Sequence, residues 1–325
     1  MSLASLVVRA DNLEVLRLVP DGTVDLVYVD PPFNTGRRQS RPPLRTVLDE
    51  GGGDRTGFGG RRYRTERIGP SHSFDDSFED YLAFLEPRLR EAHRVLRPTG
   101  CFYLHLDYRE VHYAKVLADG IFGRDAFINE IIWAYDYGAR TRRRWPAKHD
   151  DILFYARDPG RYFFDADAGD RIPYMAPALV GAEKAAKGKL PTDTWWHTIV
   201  SPTGKEKLGY PTQKPLGILR RIVGASCPPG GVVLDFFAGS GTTGAAAREL
   251  GRRFLMVDSS DEAMAVMRRR FAGMDDVTFV EPAEMAETSE LAGASGGGEA
   301  RLEIGAQIAR VLQTDRQPEQ TVADA

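Results

Sequence analysis

Two short stretches carry residue types at spacings that could do chemistry. The first is "DPPF", Asp30 to Phe33, which follows an apolar, β-branched run, Val24 to Val29, that reads as a buried strand. Proline disfavours the helical region for the residue before it, so Asp30 is pinned extended at the strand's carboxyl end. Neither Pro31 nor Pro32 has an amide hydrogen to extend a ladder or a helix. Taken alone, D-P-P is also an ordinary hydrophilic turn. The second stretch is "DFFAGSGTTG", which follows a strand and opens a helix, and in which Gly239, Gly241 and Gly244 satisfy G-x-G-x-x-G. Such a turn lets a ligand approach the backbone, with the amides of a helix start aimed outward. With Asp258 at the end of the next strand it reads as a dinucleotide site; glycines that serve only helix packing are the other reading.

The elements that must position these residues follow from periodicity. A strand at Ser5 to Val8, a helix around Asn12 to Leu18, a turn at Asp21 and Gly22 and the strand into Asp30 make a β-α-β unit. Residues 37 to 72 are rich in Gly, Arg and Pro and are expected to form a mobile basic loop. A helix beginning near Ser77 or Asp80, a strand after Gly100, a helix from about Tyr108 to Leu117 and strands in "FINEIIWAY" and "DDILFYAR" come next. Pattern dissolves from about Phe163 to Leu208. It returns as the helix "PLGILRRIVGASC", the glycine unit and the strands "RRFLMVD" and "VTFV". A dinucleotide fold normally opens with its glycine unit. Here only two strands follow it, so earlier strands must complete the sheet, and the turns at Asp30 and Gly239 then share the edge where open α/β sheets bind ligands.

Composition narrows the class. The 325 residues suffice for one large α/β domain with insertions, or for two domains. The net charge of -3 is uneven, because the segment from Pro282 onward holds eight acidic and three basic residues, which leaves +2 for the rest. Cys101 and Cys227 make neither a disulfide framework nor a metal cluster, no histidine has metal-ligand spacing, and no signal peptide or membrane span is found, which together suit a cytoplasmic protein without metal.

Three separated stretches, "DLVYVDPPFNTG", "GYPTQKPLGILRRIV" and "VVLDFFAGSGTTGAAARELGRRFLMVD", together give the chain a resemblance to the amino-group DNA methyltransferases that use S-adenosylmethionine, in the β arrangement where the D-P-P motif precedes the glycine motif. "FDDSFEDYLAFLEPRLREAHRVLRPTGCFYLHLD" is similar to that family's segment after the catalytic loop, so the likeness spans most of residues 1 to 275. It implies an α/β, Rossmann-like methyltransferase sheet, circularly permuted, with an inserted DNA-recognition region. The expected organisation is a catalytic part at 1–162, target recognition at 163–208, a cofactor-binding part at 209–281 and an acidic tail, linker or weak helix at 282–325. The resemblance places Asp235, Phe237, Ala238, Gly239, Ser240, Gly241, Thr242 and Thr243 at the cofactor. It also puts Asp258 on the ribose hydroxyls, Asp11 near the adenine, and Thr212, Gln213 and Lys214 near the methionine part, where a lysine suits a carboxylate.

Asp30, Pro31, Pro32 and Phe33 are the implied catalytic residues, with Asp30 also facing the cofactor. An exocyclic amino nitrogen is a poor nucleophile because its lone pair is delocalised into the ring. The Asp30 carboxylate and the Pro31 carbonyl can each accept a hydrogen bond from it, drawing it toward tetrahedral geometry, while Phe33 stacks on an extruded base. Adenine N6 is the expected acceptor and cytosine N4 the alternative. A nicotinamide-dependent oxidoreductase and a non-catalytic nucleic-acid binder are the competing classes. For double-stranded DNA the contact candidates are Arg140, Arg142, Arg143, Arg144 and Lys148 around Trp145, basic residues interleaved with an aromatic. The family analogy adds a cognate restriction endonuclease and a homodimer as partners.

Overall fold

The protein is described from a computed structural model covering residues 4–36, 39–41, 44–49, 51–53, 55–56, 60–67, 72–74, 76–136, 141–201, 204–281 and 296–313. In chain order β1 (Ser5–Arg9), α1 (Asn12–Leu16) and β2 (Val24–Val29) open the molecule. Five short strands follow: β3 (Gln39–Arg41), β4 (Leu44–Leu48), β5 (Arg55–Thr56), β6 (Arg62–Arg67) and β7 (His72–Phe74). Next come α2 (Tyr81–Val95), β8 (Leu96–Leu106), α3 (Val111–Phe122), β9 (Phe127–Ala134), β10 (His149–Ala156), α4 (Ala182–Lys187) and β11 (Thr194–Trp196). The last run is α5 (Leu216–Ser226), β12 (Val232–Asp235), α6 (Thr242–Glu249), β13 (Arg253–Asp258), α7 (Asp261–Arg270), β14 (Val277–Val280) and α8 (Gly296–Leu312).

Nine strands form one sheet in the order β11-β9-β10-β8-β2-β12-β13-β1-β14. From β8 to β14 every pairing is parallel, while β10 runs antiparallel to both β8 and β9. Parallel strands must be covered on both faces, and their residues are accordingly apolar in unbroken runs: all six residues of β2 and all four of β12 are buried. α1, α2, α3 and α8 share one core cluster with one face of the sheet, and α5, α6 and α7 share a second cluster with the other. Because β2 and β12 are adjacent and parallel, the D-P-P-F turn and the glycine turn leave the sheet side by side.

One expectation is corrected: the 37–72 segment is not an aperiodic loop throughout, since described residues in it form a two-stranded sheet with β7 (β3-β7) and a three-stranded one, β4-β6-β5. Of the alternatives for the tail, the described residues form a helix, with Ile304, Ile308 and Val311 of α8 buried against the core and Arg253 of β13 donating to the carbonyls of Val311 and Gln313. Smaller shifts follow the same logic of tertiary pairing. The strand expected after Gly100 begins at Leu96, the helix expected from Tyr108 spans Val111–Phe122, and β11, inside the patternless 163–208 region, joins the main sheet beside β9. Cys101 and Cys227 are buried and not joined in a disulfide. Among the described residues no helix is long and apolar enough to cross a membrane and no group of side chains has metal-ligand geometry.

Candidate active site

Four neighbouring parallel strands, β2, β12, β13 and β1, lead at their carboxyl ends into Asp30, Asp235, Asp258 and Asp11. A cavity of about 520 Å³ opens above them, of a size that suits a nucleoside-containing ligand. Asp30, Pro31, Pro32 and Phe33 form one wall of it; Asp11, Asp235, Phe237, Ala238, Gly239, Ser240, Thr242, Thr243 and Asp258 line the rest, with Thr212 and Lys214. Two turns separated by about two hundred residues of chain thus meet at one mouth.

The glycine turn has a divided role. At Gly239, φ is +49° and an added Cβ would meet the Tyr210 ring at 3.0 Å, so the backbone lies close under that ring. The Gly239 amide donates to Asp258 Oδ2 at 2.8 Å and the Ser260 amide to Oδ1 at 2.9 Å, which fixes the carboxylate at the strand end. Gly241 does not line the cavity. Its φ is +71° and an added Cβ would meet Met267 Cγ at 2.8 Å, so it serves the seating of α6 against α7 rather than the ligand. Ser240 and Thr242 share a 3.0 Å hydroxyl contact, and Arg270 donates to the Ser240 carbonyl at 2.6 Å, so they organise the turn from within. Asp235 is buried and receives Thr243 Oγ1 at 2.7 Å and the Phe237 amide at 3.0 Å; burial pushes its carboxyl up to about 7 against those two bonds.

Asp11 caps α1, accepting from the Leu13 amide at 2.9 Å, and its other oxygen lies 3.5 Å from Arg88. Arg88 in turn donates to Asn12 Oδ1 at 2.8 Å and stacks 4.0 Å over Phe84, while Asn12 donates to the Phe236 carbonyl at 2.9 Å. Phe84 and Phe237, with centroids 6.0 Å apart, give this end of the cavity an aromatic wall. Asn12, Phe84, Arg88 and Tyr210 escaped the sequence reading. Helical spacing identifies the buried face of α2, but nothing local shows that this face ends over a ligand.

Lys214 lines the cavity beside the D-P-P-F turn. Its Nζ sits 2.8 Å from Asp30 Oδ1 and 2.7 Å from Oδ2, and 4.8 Å over the Phe33 ring. The ammonium is therefore bound to the D-P-P-F acid. Gln213 faces away from the cavity: it accepts from the Leu208 amide at 2.9 Å and donates to the Glu206 carbonyl at 2.8 Å, closing its own loop. Beyond Phe33, Asp76 accepts from the Asn34 amide at 2.8 Å and from the Thr35 hydroxyl at 2.5 Å, and Asn34 donates to Glu110 at 2.7 Å. Asn34 sits at φ +52°, a conformation that asparagine tolerates and these bonds hold. Arg142, Arg143, Arg144 and Trp145 are exposed on the connection from β9 to β10, Trp145 at 94 %, while Lys148 donates to the Asp136 carbonyl at 2.6 Å; Arg140 lies outside the described residues.

A nucleoside-sized cavity at the carboxyl edge of a parallel sheet, with a rigid acid and an aromatic facing a glycine turn, defines a group-transfer site of the α/β class. The chain belongs to the DNA methylase family, whose model matches residues 24–269. It is 29 % identical over 76 % of its length to type II methyltransferase M.ScaI of Streptomyces caespitosus, covering 74 % of that protein. It is 28 % identical to the DNA adenine methyltransferase YhdJ of Escherichia coli (strain K12), with 82 % of each chain covered. Among solved structures, the cytosine-N4-specific PvuII DNA methyltransferase superposes with a TM-score of 0.57 at 14 % identity, covering 96 % of this chain and 94 % of that one, which shows a shared fold. Family membership removes the nicotinamide oxidoreductase reading; the same glycine turn and strand-end acid suit any nucleoside-bearing ligand.

Proposed function

We propose that the protein transfers a methyl group from S-adenosylmethionine to the exocyclic amino group of a base in double-stranded DNA, with adenine N6 as the acceptor. One observation carries the reading: Asp30 and Phe33 line the same cavity as Phe237, Gly239, Asp258 and Asp11. The chain's groups fit the donor. Phe84 and Phe237 offer faces to a purine, the carboxylates of Asp258 and Asp11 suit hydroxyl and amino donors, and the close backbone at Gly239 leaves room that a side chain would fill. When bound, S-adenosylmethionine supplies an activated methyl group.

Asp30 and the Pro31 carbonyl accept hydrogen bonds from the amino group and aim its lone pair into the cavity, and the prolines keep both acceptors fixed. Positioning of this kind contributes on the order of 7 kcal/mol to lowering a barrier. Phe33 stacks on the base, worth about 1–3 kcal/mol. A base within a duplex must be extruded to reach this wall. Asp rather than Ser at position 30 favours adenine, as does the activity named for YhdJ; the cytosine-N4 activity named for the PvuII enzyme keeps cytosine N4 as the second reading. Trp145 and its arginines lie on a connection that leaves the same sheet edge as Asp30, which supports their contact with DNA, and 163–208 is the region proposed for target recognition. A cognate restriction endonuclease, a homodimer and a cytoplasmic location belong to the same proposal. The deciding experiment measures tritium transfer from labelled S-adenosylmethionine to duplex DNA. Asp30→Ala should abolish transfer while S-adenosylhomocysteine binding survives; undiminished transfer would refute the role of the acid.

A further inference from the structure

The two prolines fix the backbone of Pro31 and Pro32, but Phe33, the face offered to the base, has no such lock, so the residues that follow must hold it. Asn34, the next residue, stands at φ +52°, a left-handed conformation that costs an L-residue free energy and persists only where its surroundings enforce it. The enforcing group comes from outside the motif. Asp76, 2 % exposed, turns both carboxylate oxygens onto the turn: Oδ1 accepts from the Asn34 amide at 2.8 Å, and Oδ2 from the Thr35 amide at 3.2 Å and from the Thr35 hydroxyl. Its own carbonyl accepts from the Gly36 amide at 3.0 Å. Successive amides that converge through a left-handed residue make a concave seat for an anion, and a buried carboxylate needs such donors.

The Asn34 side chain is held as firmly as its backbone. Its Oδ1 accepts from the Phe78 amide at 3.1 Å, and its Nδ2 donates to Glu110 Oε1 at 2.7 Å. Glycine would adopt the same φ and make neither bond, alanine would make neither and resist the φ, and aspartate would have no hydrogen for Glu110. The planar peptide that joins Phe33 to Asn34 carries the amide that Asp76 Oδ1 receives, so this clasp sets the plane from which the Phe33 ring projects. Asp76 and Thr35 line the same cavity as Asp30 and Phe33, which places the contact at the site itself. Asp76 also stands just past β7, whose partner β3 begins shortly after Gly36, so the clasp closes the foot of the 37–72 segment.

We propose that Asp76 is a positioning residue: through the Asn34 and Thr35 amides it holds the turn after Phe33 in its left-handed form, and so keeps the ring in register with the amino group that Asp30 and the Pro31 carbonyl receive. This rests on the amino-methyltransferase reading above. The clasp bonds the backbone of the turn, while affinity for a duplex comes chiefly from phosphate contacts, so its loss belongs in the rate of transfer.

The test measures kcat, DNA KM and S-adenosylhomocysteine affinity by calorimetry for the full chain and for Asp76→Ala, Asn34→Gly and Asn34→Ala, each shown to be folded by its melting curve. Asp76→Ala should lower kcat about tenfold or more, with DNA KM and S-adenosylhomocysteine affinity within about twofold of the unaltered protein. Both Asn34 variants lose the side-chain bonds and should be slowed. Asn34→Ala should be the slower of the two by about fivefold or more, because it alone opposes the left-handed φ. That pair decides the matter if Asp76→Ala does not fold. An unchanged kcat in Asp76→Ala, or equal rates for the two Asn34 variants, overturns the clasp and leaves the function standing. So does a loss in Asp76→Ala matched by the loss in S-adenosylhomocysteine affinity, which would assign Asp76 to the cofactor. If the unaltered protein binds S-adenosylhomocysteine and DNA yet transfers no methyl group, the reading and the clasp fall together.

Discussion

Asp30 meets two demands at once, since it must accept from a substrate amine while both of its oxygens lie within 2.8 Å of Lys214 Nζ. The pair is half-enclosed, at 12 % and 16 % side-chain exposure, so the ammonium orients the carboxylate and compensates its charge where water is scarce. Lys214→Met should lower the transfer rate about tenfold or more, with the loss in kcat rather than in S-adenosylhomocysteine affinity; an equal loss in cofactor affinity would return Lys214 to the role its sequence context implies. Asp235 gives a prediction in pH. Its folded carboxyl sits at about 7, above the ordinary 3.8, so the native state holds the extra proton between those values. Its contribution is full below pH 3.8 and is lost as pH rises toward 7. Asp235→Asn should flatten that decline in thermal melts taken from pH 5 to pH 8 at about one-unit steps. Asp30, Gly239 and Asp258 were legible because their chemistry is local to a motif. The Lys214 partnership was not, since it spans 184 positions of chain.

Elements were legible where burial imposes a period. The runs in β2, β12 and β13 are apolar because both faces of a parallel sheet are covered, and no turn residue interrupts them. Elements set by a partner elsewhere in the chain were not. α8 reads as a weak helix beside "GASGGGE", yet Ile304, Ile308 and Val311 reach the core and Arg253 bonds its last carbonyls. Ile308→Ala should therefore destabilise the protein by about 2–5 kcal/mol, read as a lowered urea midpoint at unchanged slope. An effect near zero would return α8 to the status of a loose tail. The short strands β3 to β7 were missed for a similar reason: Arg- and Gly-rich segments lack the alternation that marks a half-buried strand.

At the scale of the whole molecule, the net charge of -3 says little about DNA, because phosphates respond to local fields. Arg142, Arg143 and Arg144 project from the connection between β9 and β10, and Arg144 lies 5.9 Å over Tyr108 just beyond β8. Replacing the three by glutamine should reduce the log-log salt slope of DNA binding by about 0.9 for each phosphate that is no longer neutralised, with S-adenosylhomocysteine binding untouched. An unchanged slope would place the DNA on another face. By itself the sequence determined the buried parallel strands around the site, the rigid acid-aromatic turn, the glycine turn and the acids at the strand ends, because each follows from backbone restriction or burial period within a few residues. Only the tertiary structure decided that Lys214 meets Asp30, that Gly241 packs a helix and that Phe84 and Arg88 wall the cavity. Those are meetings of distant segments, and strand order, which no local propensity encodes, brings them together.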